Sequence, residues 1–121
     1  MSSYSYGREL RLLTPAHFNS VFQGKPIRVG SSHLTLLATP NNLPHPRLGF
    51  AVSKKSAKLA VQRNRIKRVI RDSFRLNQHH LPNVDIVVIG KAGVGTLAKP
   101  ELQQLVKQLW PRLKKRCRTS Q

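Results

Sequence analysis

The chain predicts an α+β sandwich, one mixed sheet with helices packed on it, in the order helix, two or three strands, helix, strand, helix. Three stretches carry that reading. Residues 84–89 are β-branched and apolar except for Asp85, the pattern of a strand buried in the middle of a sheet. Residues 54–75, laid on a helix, place Ile66, Ile70 and Phe74 on one stripe, with Leu59 and Ser73 alongside; Arg65, Arg68, Arg71 and Arg75 fall on the opposite side with Asn64. From Pro100 onward, Leu102, Leu105, Val106, Leu109 and Leu113 form a second apolar helical stripe with Trp110 beside it.

Taken in order, residues 1–13 read as a lead-in ending in Leu10, Leu12 and Leu13. Thr14 is an N-cap ahead of Pro15 at the first helical position, and Phe18, Val21 and Phe22 follow at helical spacing until Gly24 stops the helix. Pro26–Gly30 fits a short strand. Residues 33–39 alternate, with Leu34, Leu36 and Ala38 on one side and Thr35, Leu37 and Thr39 on the other. Pro40, Pro44 and Pro46 keep the next segment a loop. The strand expected over 47–54 has a large face, Leu48, Phe50 and Val52, and a small one, Gly49, Ala51 and Ser53. That small face lies under a helix or leaves room for a ligand. Ser56 is the expected N-cap of the long basic helix, which should run to about Gln78 and stop at the sequence from His79 to Asn83. Gly90, Gly93 and Gly95 make a loop without the Gly-Lys-Ser/Thr ending of a phosphate-binding loop. Pro111 should kink or end the last helix, because it lacks a backbone donor and clashes one turn back. Residues 112–118 should then be a frayed basic end.

Length and charge bound the function. At 121 residues the chain is one domain, with an ordered core expected over about 8–115 and flexible ends at 1–7 and 117–121. Its 22 Lys and Arg face 4 Asp and Glu, for a net charge of +18. Such a balance points to a polyanionic partner, and the longest apolar run, residues 86–89, is too short to span a membrane. The N-terminus lacks an apolar signal-peptide core, and one cysteine, Cys117, precludes an internal disulfide; both fit a reducing cytoplasm. Nucleic acid is therefore the expected partner, with no membrane and no small-molecule substrate. Residues 54–75 alone hold nine Lys or Arg against Asp72. Like charges at helical spacing repel by a few tenths of a kcal/mol per pair, roughly, and a polyanion removes that repulsion.

Hydrolysing a phosphodiester with protein groups takes metal-holding carboxylates or a paired acid and base. Glu9, Asp72, Asp85 and Glu101 sit on four separate elements, and the five histidines show no ligand spacing. His79 and His80 fit better as partners of helix-end carbonyls. Cys117 sits among basic residues that would lower its pKa, yet has no partner and reads as a bystander. The residues therefore argue for binding without catalytic side chains. No short recognition helix follows a turn, as duplex-DNA readers require, whereas forked guanidinium groups and Asn64 suit the phosphates and 2′-hydroxyls of folded RNA. Phe18 and Phe22 would serve as core or as a stacking platform for a single strand, with core the reading their spacing favours.

The stretch Ala51-Val52-Ser53-Lys54-Lys55, then Arg63-Asn64-Arg65-Ile66-Lys67-Arg68-Val69-Ile70-Arg71 and Phe74-Arg75, closely resembles the signature of the bacterial ribonuclease P protein component. Arg8-Glu9-Leu10-Arg11-Leu12, Phe18 and Phe22, His45-Pro46-Arg47, and Asp85-Ile86-Val87-Val88 resemble it as well, so the likeness covers about residues 8–115. The resemblance implies a small α-β sandwich of the ribosomal S5 domain 2-like type, in the order α-β-β-β-α-β-α, with a left-handed βαβ crossover against the usual hand. It further implies one subunit of a ribonucleoprotein endonuclease that removes the 5′ leader of precursor tRNA, the RNA subunit and its Mg²⁺ ions doing the chemistry. The protein alone would be monomeric and hold no metal. By position, Arg63, Asn64, Arg65, Lys67, Arg68, Arg71 and Arg75 would bind the RNA subunit or organise metal-dependent structure near it. Phe18, Phe22, Ser53, Lys54, Lys55 and Lys91 would line the leader cleft, which reassigns the two phenylalanines from core to cleft. Helical geometry sets Arg63 nearer the Ile66/Ile70 stripe than Arg65, so Arg63 is the one placed to pack. The chain departs from the family pattern at Ala92, where many relatives carry a second basic residue. A general or ribosomal RNA-binding protein is the competing reading, and a protein-only nuclease a remote third.

Overall fold

A computed structural model describes residues 21, 23, 26–41 and 43–119. The chain forms β1 (Ile27–Gly30), β2 (Leu34–Pro40), β3 (Arg47–Ala51), α1 (Ala60–Asn77), β4 (Val84–Gly90) and α2 (Lys99–Thr119). Short 3-10 turns occupy Gln78–His80 and Val94–Thr96. Ahead of β1, Val21 and Gln23 are helical; the rest of the helix expected over 15–23 lies outside the described residues.

The sheet order is β1-β2-β4-β3. β2 pairs antiparallel with both β1 and β4, while β3 and β4 run parallel, joined through α1. β4 is thus central, as its run of β-branched residues predicts. Alternation along each strand divides the sheet into two faces. Leu34, Leu36, Leu48, Ile86 and Val88 point toward the helices and join Ile66, Ile70, Phe74, Leu102, Val106, Leu109 and Leu113 in one core. Leu37 and Val87 point the other way and are covered by Val21, with Ile89 packed at the edge. The stripes read from the sequence on both helices are therefore the buried ones. α1 and α2 also meet through Trp110, whose indole stands edge-on to Phe74 at 6.1 Å and donates to Ser73 Oγ at 2.7 Å.

Several expectations change. Ser56 is not the cap of α1. Residues 54–56 form a turn, Ser56 Oγ donates to the Gly90 carbonyl at 2.6 Å, and the helix begins at Ala60. The N-cap position is Leu59, three residues beyond Ser56. Leu59, expected beside the buried stripe, is 53% exposed. β3 ends at Ala51, short of Lys54.

At the other end of the chain, α2 runs through Pro111 to Thr119. Pro111 is exposed, so its missing donor falls on the outer side of the helix, while Leu109, Trp110, Leu113 and Cys117 hold both flanks in the core. The end predicted to fray is helical. Cys117, expected in a flexible tail, is 3% exposed, and burial pushes its thiol pKa up despite the opposing charge of Arg116. The start of α2 is capped by Glu101, which accepts the Ala98 N–H at 3.0 Å.

Candidate nucleic-acid interface

The parallel pairing of β3 and β4 sends both strands out at the same end of the sheet. The 53–58 segment, the first turn of α1, Lys91 and the Val94–Thr96 turn all gather there. α1 begins without an acidic residue in its first turn, and the N-cap position is Leu59, whose side chain offers no acceptor. Gln62 supplies one instead, its Oε1 accepting the Leu59 N–H at 3.1 Å. The positive end of the helix dipole therefore coincides with Arg63 and Arg65, which concentrates cationic potential at this end.

The three residues of the Arg-Asn-Arg motif point in different directions. Arg63 is half-buried and turns back along the helix start, its Nη1 donating to the carbonyls of Ala57 at 2.9 Å and Lys58 at 3.0 Å. Arg65 is exposed, yet its Nη2 reaches across to the Gly95 carbonyl at 3.1 Å. Asn64 faces outward. Along the same outer side Arg68 and Arg71 are exposed, with Lys67 and Arg75 half-buried at its margins. Asp72 is the one acid on α1, and the Arg47–Asp85 ion pair joins two strands.

The second sequence-predicted surface lies on the sheet face opposite the helices. Register places Gly30, Thr35, Ile89 and Ala51 in one row across all four strands, and Arg28, Leu37, Val87 and Gly49 in the next. Ala51 and Gly30 keep the first row low. Ser53, Lys54 and Lys55 are exposed just beyond it on the β3 side. Lys91 is half-buried, its backbone N–H donating to the His33 carbonyl at 2.9 Å and its ammonium to the Ser31 carbonyl. It thereby ties the end of β4 to the β1–β2 turn. Phe18 and Phe22 lie outside the described residues. Ala92, the departure from the family pattern, is exposed in the turn that follows Lys91.

The sequence reading missed the supports of this end. Gly95 approaches α1 so closely that a Cβ there would sit 2.9 Å from Ala57 Cβ and 3.0 Å from Gln62 Oε1. Gly93 holds φ +87°, the left-handed conformation that glycine adopts at no steric cost. Gln62, three positions after Leu59, was legible as half of a capping box; the closeness of Gly95 is tertiary and leaves no local signal.

A model of the family described as Ribonuclease P matches residues 6–114. The chain belongs to the ribonuclease P protein family. Membership places it in an endoribonuclease complex and gives it a role in tRNA 5′ processing. The chain is 56% identical to the ribonuclease P protein component of Idiomarina loihiensis over 95% of its own length and 92% of the relative's. The Staphylococcus aureus RNase P protein structure superposes with a TM-score of 0.80 at 29% identity, covering 87% of this chain and 95% of that one. The Thermotoga maritima RNase P protein gives a TM-score of 0.66 at 27% identity, over 81% and 96% of the two chains. The S. aureus and T. maritima RNase P proteins share the α+β sandwich described above. Among the described residues of this family member, no three His, Cys, Asp or Glu side chains cluster, and no helix is long and apolar enough to cross a membrane. Asp85 is bonded by Arg47 and Asn41, Glu101 accepts the Ala98 N–H, and Asp72 is exposed on α1.

Proposed function

We propose that this chain is the protein subunit of a ribonuclease P ribonucleoprotein in the cytoplasm. The outer face of α1 binds the catalytic RNA, with Asn64, Arg68 and Arg71 as its exposed contacts and Lys67, Arg75 and the free edge of Arg65 beside them. The sheet face edged by Ser53, Lys54, Lys55 and Lys91, completed by Phe18 and Phe22, takes the single-stranded 5′ leader of precursor tRNA. The RNA subunit supplies the Mg²⁺ ions and the cleavage chemistry. The observation that carries this reading is that no ion pair or side-chain hydrogen bond within the described residues engages Asn64, Arg68 or Arg71 on the outer face of α1. Guanidinium forks left free in this way match phosphate oxygens.

Reconstitution tests it. The purified protein, free of RNA, should leave precursor tRNA intact; mixed with its RNA subunit it should restore cleavage at low Mg²⁺. Sequencing the RNA that copurifies should return one dominant structured species. Recovery of ribosomal RNA instead would favour a general RNA-binding role, and cleavage by the protein alone would overturn the assignment of chemistry to RNA.

A further inference from the structure

Segment 53–58 carries the exposed residues Ser53, Lys54 and Lys55, and it is fastened at several points. The Ser53 carbonyl accepts the N–H groups of Ser56 and Ala57, both at 3.1 Å. Ser56 Oγ holds the Gly90 carbonyl, and Ala57 is buried in the core. Arg63 then bonds the carbonyls of Ala57 and Lys58, and Arg65 draws the Val94–Thr96 turn onto the same spot through Gly95. The turn fits only because residue 95 has no side chain: besides Ala57 Cβ and Gln62 Oε1, a Cβ would meet Ala57 Cα at 3.1 Å.

We infer that Arg63 and Arg65, with Gln62 and Gly95, are positioning residues that lock the 53–58 segment to the first turn of α1, so that the RNA-binding helix and the leader cleft are held in one fixed relation. Arg63 then contributes to leader recognition through Lys54 and Lys55 and makes no phosphate contact of its own. The inference rests on the two-surface reading above and splits the motif between two roles. Asn64 and the outer arginines meet RNA, while Arg63 sets geometry. Rigid placement matters because binding costs less when the loop is already ordered.

Two quantities separate the roles in the reconstituted holoenzyme. One is the salt dependence of protein binding to the RNA subunit, which counts phosphate contacts. The other is the preference for leader-bearing precursor over mature tRNA. Arg63→Ala should keep the wild-type salt slope and lose about fivefold or more in leader preference. Gly95→Ala changes no charge and should do the same, as the added methyl pushes the turn away from Ala57. Arg68→Ala should do the reverse, lowering the slope and sparing the preference. A slope that falls in Arg63→Ala as in Arg68→Ala would overturn the inference. So would equal loss of affinity for both tRNA ligands, the mark of mere destabilisation, or wild-type leader preference in Gly95→Ala. Should Arg63→Ala melt below the assay temperature, Gly95→Ala and Arg63→Lys decide by the same readouts. Absence of any leader preference in the wild-type holoenzyme would instead remove the two-surface reading itself.

Discussion

Arg47 grips Asp85 across the parallel β3–β4 pair with two parallel hydrogen bonds, Nε to Oδ1 at 2.8 Å and Nη2 to Oδ2 at 2.6 Å. The two residues are register partners, and Asn41 Nδ2 adds a third bond to Oδ1 at 3.0 Å. Their side chains are 19% and 4% exposed, so the carboxylate is shut from water while the guanidinium keeps some contact with it. The pair raises the Arg47 pKa further, its hydrogen bonding to Asp85 outweighing desolvation. In a chain so poor in acids, this one is spent on fastening a short strand to the sheet.

Asp85→Asn should therefore be costly, leaving Arg47 beside a neutral amide. A loss of about 2 kcal/mol or more is expected, below the full range for buried pairs because Arg47 reaches solvent. Urea unfolding measures it. A double-mutant cycle with Arg47→Ala should show coupling of about 1–3 kcal/mol.

Thr35→Val should go the other way. Thr35 Oγ1 is buried without a hydrogen-bond partner among the described residues. Valine keeps the β-branch and removes the stranded hydroxyl, so a gain of about 1 kcal/mol is expected in the same unfolding assay.

Pro111→Ala should also stabilise. The proline stands in the interior of α2, exposed, where alanine is favoured by up to about 3 kcal/mol. A gain of about 1–3 kcal/mol with unchanged RNA binding is the expected outcome. A loss would mean that the helix depends on a bend at this position.

Arg68→Ala and Arg71→Ala should each lower the slope of log affinity for the RNA subunit against log salt, by about 0.7 to 0.9 for every phosphate the variant no longer neutralises. Filter binding or anisotropy across a salt series measures this. Unchanged slopes in both would take the outer face of α1 out of the interface.

Cys117 should react slowly with thiol reagents in the folded protein and rapidly once it is unfolded, since burial both hides the sulfur and raises its pKa. The sign of the pH effect follows. A thiol whose pKa is raised on folding contributes stability below its unfolded pKa of roughly 8.5 and loses that contribution as pH climbs toward the folded value. Cys117→Ala should accordingly flatten the fall in stability on the alkaline side.

Periodic features were legible in the sequence. Ile66, Ile70 and Phe74 recur at helical spacing and are buried; Val84 to Ile89 reads as a central strand and is one. Features decided by distant partners were not. Ser56 has the chemistry of a cap, but α1 starts only at Ala60, and the Ser56 hydroxyl donates instead to the Gly90 carbonyl, far along the chain. Helical geometry set Arg63 toward the packed side, and it is half-buried there, whereas the hold of Arg65 on Gly95 depends on a turn whose position local pattern does not encode. Pro111 does not end α2, and Cys117 is buried beyond it, because core contacts on the inner side carry the helix past the local breaking signal.

The strand order carries a consequence for synthesis. β4 fills the gap between β2 and β3, yet it is the last strand to leave the ribosome. Until Gly90 has emerged, β2 presents an open backbone edge and β3 has no partner among the described strands. A nascent chain in that state is exposed to mispairing. The dense positive charge of residues 54–75, already out by then, would keep such half-built chains apart through mutual repulsion.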